Sequence, residues 1–404
     1  MAKVSHFAAP LISGFRRLKS FCIAVLSRGT VKDFAGFDAR TDAETLRKAM
    51  KGLGTDEEAV LKILTSRSNA QRQQIAAAFK TLFGRDLVDD LKSELTGKFE
   101  TLMVALMRPA RLFDAHELKH AIKVIRELLL AKTVQVPNAK RGFAGRGESG
   151  GSTASIGQEL RPMGAAEVMP VGRGSVQSCL AVPLPRTHRE MLPLPGSRLR
   201  TTAELRNVKQ VYLEEYEANL EDHVTGDTTG YYQRMLVVLV QANRDPDGRI
   251  DEGLVEQDAQ VLFKAGELKW GTDEEKFITI LGTRSVCHLR KVFDKYMTIS
   301  GFQIEETIDR ETSGDLEKLL LAIVKCVRSV PAYFAESLFY AMKGAGTDDD
   351  TLIRIMVSRS EIDLLDIRRE FRKNFAKSLH HMIQKDTSGD FRKALLLLCG
   401  GDDE

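Results

Sequence analysis

One pattern recurs four times along the 404-residue chain: an acid, one residue, Ser or Thr, then Gly, then an amphipathic run. It stands at Glu94-Leu95-Thr96-Gly97, Asp227-Thr228-Thr229-Gly230, Glu311-Thr312-Ser313-Gly314 and Asp386-Thr387-Ser388-Gly389. The runs that follow have helical periodicity and are rich in Leu, Ala, Lys and Met, all strong helix formers. An internal repeat constrains a fold more than composition does, because each unit must bury its face against a copy of itself.

A second pattern recurs three times, at Gly52-Leu53-Gly54-Thr55-Asp56, Lys269-Trp270-Gly271-Thr272-Asp273 and Gly344-Ala345-Gly346-Thr347-Asp348. Helical sequence lies on both sides of each. The glycines suit the close of the preceding helix, where positive φ is needed. Each Thr has an acid three residues on (Glu58, Glu275, Asp350), which predicts Thr as N-cap with Glu58 and Glu275 reaching back in a capping box. Ser66-Arg67-Ser68, Thr283-Arg284-Ser285 and Ser358-Arg359-Ser360 then end the helix after each joint. No stretch shows the sustained alternation of a strand. The prediction is an all-α fold of four related units, each of several short helices.

Residues 124–199 break this scheme. They hold ten of the 31 glycines and seven of the 11 prolines, with no Asp, Tyr or Trp. Val124–Lys132 can extend the preceding helix, the remainder reads as disordered linker, and the repeat resumes near Arg200. The division predicted is an atypical extension over 1–27, a first repeat over 28–120, an interrupted second repeat with its start and insert in 121–199 and its remainder in 200–245, a third over 246–328 and a fourth over 329–404.

The net charge of +3 is unevenly placed. Residues 1–27 carry four basic residues and no acid, and residues 124–199 carry ten basic against five acidic, which leaves −6 for the remainder. A mildly acidic body lacks the basic stripe of a nucleic-acid binder. It suits acidic lipid only with a cation between them. No apolar run approaches the roughly 18 residues of a membrane span, so membrane contact is expected to be peripheral. Six apolar residues at Phe21–Leu26 are short for a signal peptide. Five scattered cysteines form no C-x-x-C pair, which points to a reducing cytosol rather than a disulfide framework or a zinc site.

The chemistry lies in one spacing. Gly54 to Glu94, Gly271 to Glu311 and Gly346 to Asp386 are each 40 residues apart. A constant separation places a Gly-rich loop and an acidic turn in the same relation in each unit. Calcium takes six to eight oxygens from carbonyls, carboxylates and water. A glycine loop lets carbonyls turn outward, and it follows a helix C-terminus, the negative end of the dipole. Positions left open can take water or a lipid phosphate oxygen. The loops can also be explained as caps and turns alone, but the shared spacing favours an ion site. The EF-hand pattern is absent, as are a P-loop ending and any Ser/His/Asp or Cys/His set, so no enzyme is indicated.

These residues resemble the annexin repeat. Lys51-Gly52-Leu53-Gly54-Thr55-Asp56 with Glu94, and Met342-Lys343-Gly344-Ala345-Gly346-Thr347-Asp348 with Asp386, carry the resemblance, which spans roughly residues 28–123 and 200–404. Glu267-Leu268-Lys269-Trp270-Gly271-Thr272 marks a subgroup of the family. The resemblance implies a curved disc of four five-helix repeats that binds acidic phospholipid of the phosphatidylserine type through calcium, shields procoagulant lipid and assembles as a homotrimer on membranes. It implies as ligands the carbonyls of Met50, Gly52 and Gly54 with the Glu94 carboxylate. In the third repeat it implies Gly266, Lys269 and Gly271 with Glu311, and in the fourth Met342, Gly344 and Gly346 with Asp386.

The second repeat departs from this set. Forty residues before Asp227 stands Thr187, inside Pro185-Arg186-Thr187-His188, with no Gly-x-Gly-Thr. No ion site is expected there. Trp270, the one tryptophan, reads as a residue that enters the lipid interface, and Lys51, Lys92 and Lys343 as candidates to meet headgroups. Two other outcomes fit the same residues: a calcium-independent helical scaffold, and a variant whose interrupted second repeat folds poorly.

Overall fold

A computed structural model describes residues 28–52, 54–134, 202–267, 273–344 and 346–402. All 19 regular elements among them are α-helices, as the periodicity predicts. The first repeat holds α1 (Ala39–Ala49), α2 (Glu57–Ser66), α3 (Asn69–Phe83), α4 (Leu87–Glu94) and α5 (Gly97–Met107). The second holds α6 (Ala110–Val134), α7 (Thr202–Tyr216), α8 (Leu220–Asp227) and α9 (Gly230–Val240). The third holds α10 (Glu252–Gly266), α11 (Glu274–Thr283), α12 (Val286–Ser300), α13 (Ile304–Glu311) and α14 (Gly314–Arg328). The fourth holds α15 (Val330–Met342), α16 (Asp349–Arg359), α17 (Leu364–Phe375), α18 (Leu379–Asp386) and α19 (Gly389–Cys399).

The chain divides into two units, Met1–Arg126 with Arg189–Glu404, and Glu127–His188. Of the second unit, the described part is the end of α6, Glu127–Val134. The insert beyond Val134, expected to be linker, and the atypical extension over 1–27 lie outside the described residues. None of the described helices is long and apolar enough to cross a membrane.

Local chemistry starts and stops the helices. Asp38 caps α1 by accepting from the Thr41 N–H at 2.6 Å. Ser68 caps α3 in a capping box with Gln71, and Ser329 caps α15 with Pro331 in its first turn. Gly84 and Gly301 close α3 and α12 in the left-handed region. The Arg of the Ser/Thr-Arg-Ser motif reaches back to the first helix of its own repeat. Arg67 forks onto Asp42 at 2.7 and 2.9 Å, and Arg284 onto Asp258 at 2.6 and 3.3 Å. In the fourth repeat Arg359 pairs instead with Asp363, one turn on.

In the first, third and fourth repeats the first and third helices pack together: α1 on α3, α10 on α12, α15 on α17. The repeats then pack in pairs. In one pair α19 lies against α2 and α5, and α16 against α5, so the first and fourth repeats share one core from Leu46, Leu64 and Phe79 to Leu338, Phe371 and Leu398. In the other, α9 lies against α11 and α14, joining the second repeat to the third. That seam is tight at Gly282, where an added Cβ would stand 2.5 Å from Val238 Cγ1. Val238 is β-branched and stiff, so it yields poorly. Gly282→Ala is expected to cost about 1–3 kcal/mol, read as a lower thermal midpoint. An unchanged midpoint would show that α9 and α11 separate freely.

Candidate functional site

The helix before the last in every repeat ends on the acid of the recurring turn: Glu94 ends α4, Asp227 α8, Glu311 α13 and Asp386 α18. A carboxylate at a helix C-terminus sits against the negative end of the dipole, a placement that costs free energy unless a cation offsets it. The glycine three residues on opens the next helix with φ between 62 and 70° at Gly97, Gly230, Gly314 and Gly389. This left-handed start turns the chain sharply beneath the acid, and only glycine takes it without strain.

The loops that face these turns share one closing bond. The Asp56 N–H donates to the Ala49 carbonyl at 2.9 Å, the Asp273 N–H to Ala265 at 3.1 Å and the Asp348 N–H to Ala341 at 2.7 Å. The residue after each Ala is therefore equivalent: Met50, Gly266 and Met342. These are the residues assigned from the family resemblance as first ligand of each set. In the third repeat the closing bond spans eight residues, against seven in the other two. Met50 and Met342 bury their side chains in the core, which leaves their backbones at the rim of the helix end. Gly52 and Gly54 follow with φ of 133 and 87°, and Gly344 and Gly346 with φ of 116 and 97°. All four are exposed, with open space where a Cβ would lie. The last carbonyls of α1, α10 and α15 have no partner in their own helix, so oxygen donors gather at these ends.

Thr55 and Thr347 tie loop to acid. The Thr55 hydroxyl donates to Glu94 Oε2 at 3.0 Å, and the Thr347 hydroxyl to the Asp386 carbonyl at 3.0 Å. The capping expectation is corrected here. Asp56, not Thr55, caps α2 by accepting from the Ala59 N–H, and Asp348, not Thr347, caps α16 by accepting from Thr351. Asp273 is likewise the N-cap of α11. A carboxylate one residue nearer the helix outcompetes the hydroxyl at the positive end of the dipole, which frees the Thr to bridge toward the acid.

In the third repeat Glu267, just after Gly266, accepts from the Thr307 hydroxyl at 2.7 Å and from Arg310 at 2.5 Å. The Tyr296 hydroxyl meets Thr307 at 2.7 Å, and burial pushes the phenol up to about 12. This chain fixes the start of the loop against α13, whose last residue is Glu311. Leu268 and Thr272, with the predicted site residues Lys269, Trp270 and Gly271, lie outside the described residues. Lys51 is exposed. Lys343 stands 5.4 and 5.5 Å over the rings of Phe339 and Tyr340, and Lys92 lies 3.8 Å from Asp89.

Two observations test whether these residues suit a cation. Asp386 Oδ2 is buried and has no hydrogen-bond partner, the state of a carboxylate oxygen reserved for an ion. Among the described residues no group of three or more His, Cys, Asp or Glu side chains is arranged to hold a metal ion, and the helix ends offer backbone oxygens beside one acid, a donor type that suits a hard cation. Between the Glu94 and Asp386 turns lies a polar cavity of about 450 Å³, lined also by Glu57, Lys98 and Asp349. The second repeat has an acid but no loop: α6 runs unbroken past Ala121 and Ile122, and Asp227 pairs with Arg126 at 3.6 Å.

A family model described as "Annexin" matches residues 41–106, 199–239, 257–323 and 333–398. Annexin A5 of Gallus gallus is 68% identical over 382 residues, covering 95% of this chain and all of that protein. Annexin A5 of Homo sapiens is 64% identical over 381 residues, covering 94% and 100%. The solved structure of chicken annexin V superposes with a TM-score of 0.72 at 67% identity, covering 93% of this chain and 100% of that one. A calcium-bound annexin (Sm)1 superposes with a TM-score of 0.66 at 27% identity, covering 93% and 94%. Helix order, repeated acidic turns and these likenesses agree, and the chain belongs to the annexin family.

Proposed function

We propose that this protein binds membranes rich in acidic phospholipid of the phosphatidylserine type, through calcium ions held at the loops of its first, third and fourth repeats. The observation that carries the reading is the identical closing bond of the three loops, each set beside a helix-terminal acid. The carbonyls of Met50, Gly52 and Gly54 with Glu94 would hold one ion. Gly266, Lys269 and Gly271 with Glu311 would hold the second, and Met342, Gly344 and Gly346 with Asp386 the third. A bound calcium ion supplies divalent charge and open coordination positions for phosphate oxygen.

The residues themselves do the rest. The glycines let backbone oxygen approach without a side chain in the way, and Thr55 holds Glu94 in place. The acids make each site anionic, so it attracts anionic lipid only when loaded. Lys51 and Lys343, with Trp270, are assigned to headgroup and interface contact. The annexin V likeness supports a role in shielding procoagulant lipid as a homotrimer, with cytoplasmic protein recruited to the membrane surface when calcium rises, or with protein acting at the extracellular surface.

Cosedimentation with phosphatidylserine vesicles, in calcium and in excess chelator, tests the reading. Most of the protein is expected to pellet in calcium and at least tenfold less in chelator, since calcium supplies the charge that joins two anionic surfaces. Equal pelleting in both would sink it and favour a calcium-independent scaffold.

A further inference from the structure

We infer that Arg126 takes, in the second repeat, the position a metal ion takes in the others, and that its guanidinium meets lipid phosphate directly, without calcium. The inference rests on the reading that the acidic turns face lipid.

Its basis is the course of α6. Ala121-Ile122-Lys123 corresponds to Ala49-Met50-Lys51 and Ala341-Met342-Lys343 with Ile in place of Met, and Ile122 is buried as Met50 and Met342 are. In the other repeats the helix stops here and the loop begins. In α6 it continues, and five residues past Ala121 it presents Arg126. Arg126 Nε lies 3.6 Å from Asp227 Oδ1. The acid is sunken, with 18% of its side chain exposed, and the arginine covers it, with 66% exposed. A permanent cation thus stands over the acid that ends α8, where it offsets the helix dipole and the carboxylate together.

A guanidinium has five N–H donors in a fixed fork, stays charged at any physiological pH, and suits phosphate oxygens in pairs. One edge faces Asp227, and the exposed remainder is available to a phosphodiester. The arrangement reproduces the order carboxylate, cation, phosphate with a side chain in the middle. Calcium entry at Asp227 would require displacing that side chain, and no glycine loop supplies the other oxygens. The second repeat therefore contributes a weak contact that needs no calcium, beside three that do.

The test is vesicle binding in excess chelator at low ionic strength, with phosphatidylserine/phosphatidylcholine vesicles, for the full chain, Arg126→Ala and Arg40→Ala. Arg40 is a control of similar exposure, 72%, at the opposite end of its helix from the loop and paired with Glu44. The wild type is expected to show weak, salt-sensitive binding. Arg126→Ala should weaken it about fivefold, the worth of one arginine at an anionic surface, and Arg40→Ala should leave it unchanged. Three results would overturn the inference: no chelator-resistant binding by the wild type, no difference between Arg126→Ala and wild type, or an equal loss in Arg40→Ala. Calcium-dependent binding measured in parallel separates the two readings. If it persists while Arg126→Ala has no effect, only this inference fails. If the wild type lacks it, the reading beneath fails.

Discussion

Replacing Glu94 by Gln, Glu311 by Gln and Asp386 by Asn together is expected to abolish calcium-dependent binding to phosphatidylserine vesicles while leaving the helical fold intact. Each substitution is nearly isosteric and removes one anionic oxygen pair from a site built otherwise of neutral carbonyls. Loss of groups that merely orient metal ligands costs 10–100-fold in affinity, so loss of the one charged ligand costs about 100-fold or more per site. The fold should tolerate the change. Glu94 is exposed, and a glutamine there still accepts from Thr55. Asp386 Oδ2 has no hydrogen bond to lose. Removing negative charge from three helix C-termini also relieves unfavourable dipole contacts of about 0.3–1 kcal/mol each. Unaltered circular dichroism, a thermal midpoint equal to or above wild type, and no pelleting in calcium are the joint expectation. A triple variant that pellets like wild type would show that the loops are turns only.

The second large effect lies at the seam of the first and fourth repeats. Arg72 is 1% exposed and spends its guanidinium on the carbonyls of Leu64, Arg67 and Leu106 and on Glu361 across the seam at 3.1 Å. Glu361 also accepts from the Asn69 N–H at 2.6 Å. Arg72→Ala leaves two buried carbonyls, one part-buried carbonyl and a half-buried carboxylate without that donor. Breaking a buried pair by removing one member costs about 3–5 kcal/mol, which lowers the thermal midpoint by about 5–10 °C for a chain of this size.

The loss should depend on pH in a stated direction. Burial pushes the Glu361 carboxyl above its ordinary value of 4.5, and the Arg72 charge works against that shift. A carboxyl with a raised folded pKa favours the fold below its ordinary pKa, and that contribution is lost as pH rises through the folded value. Without Arg72 the shift is larger, so the penalty at neutral pH is larger. The gap between wild type and Arg72→Ala should therefore be wide near neutral pH and narrow toward pH 4.5. A gap that stays constant, or widens on acidification, contradicts the proposed role of Glu361.

Much of this was legible in sequence because helices declare themselves locally. The Gly of each acidic turn marks the start of a helix, in a conformation that other residues adopt only with strain. The 40-residue spacing was visible for the same reason: three helices of regular length carry each loop to its acid. The competition at each joint was less legible. Thr and Asp are both good caps, and although Asp ranks somewhat higher, the capping-box spacing from Thr to Glu58 and Glu275 points the other way. The structure placed Asp56 and Asp348 at the helix ends and turned Thr55 and Thr347 toward the acids.

The sequence by itself determined the all-helical fold and the number of repeats, and it set out three equal spacings from loop to acid and a second repeat without the glycine motif, since each rests on periodicity or on glycines and acids read directly. Only the tertiary structure supplied the bond that the three loops share, from Asp to the Ala seven or eight residues before it. It alone showed α9 against α11 at Gly282, Arg72 crossing to Glu361, and Arg126 over Asp227. Those partners stand tens to hundreds of residues apart. Their meeting depends on how helices pack, and a single chain carries no local signal of that.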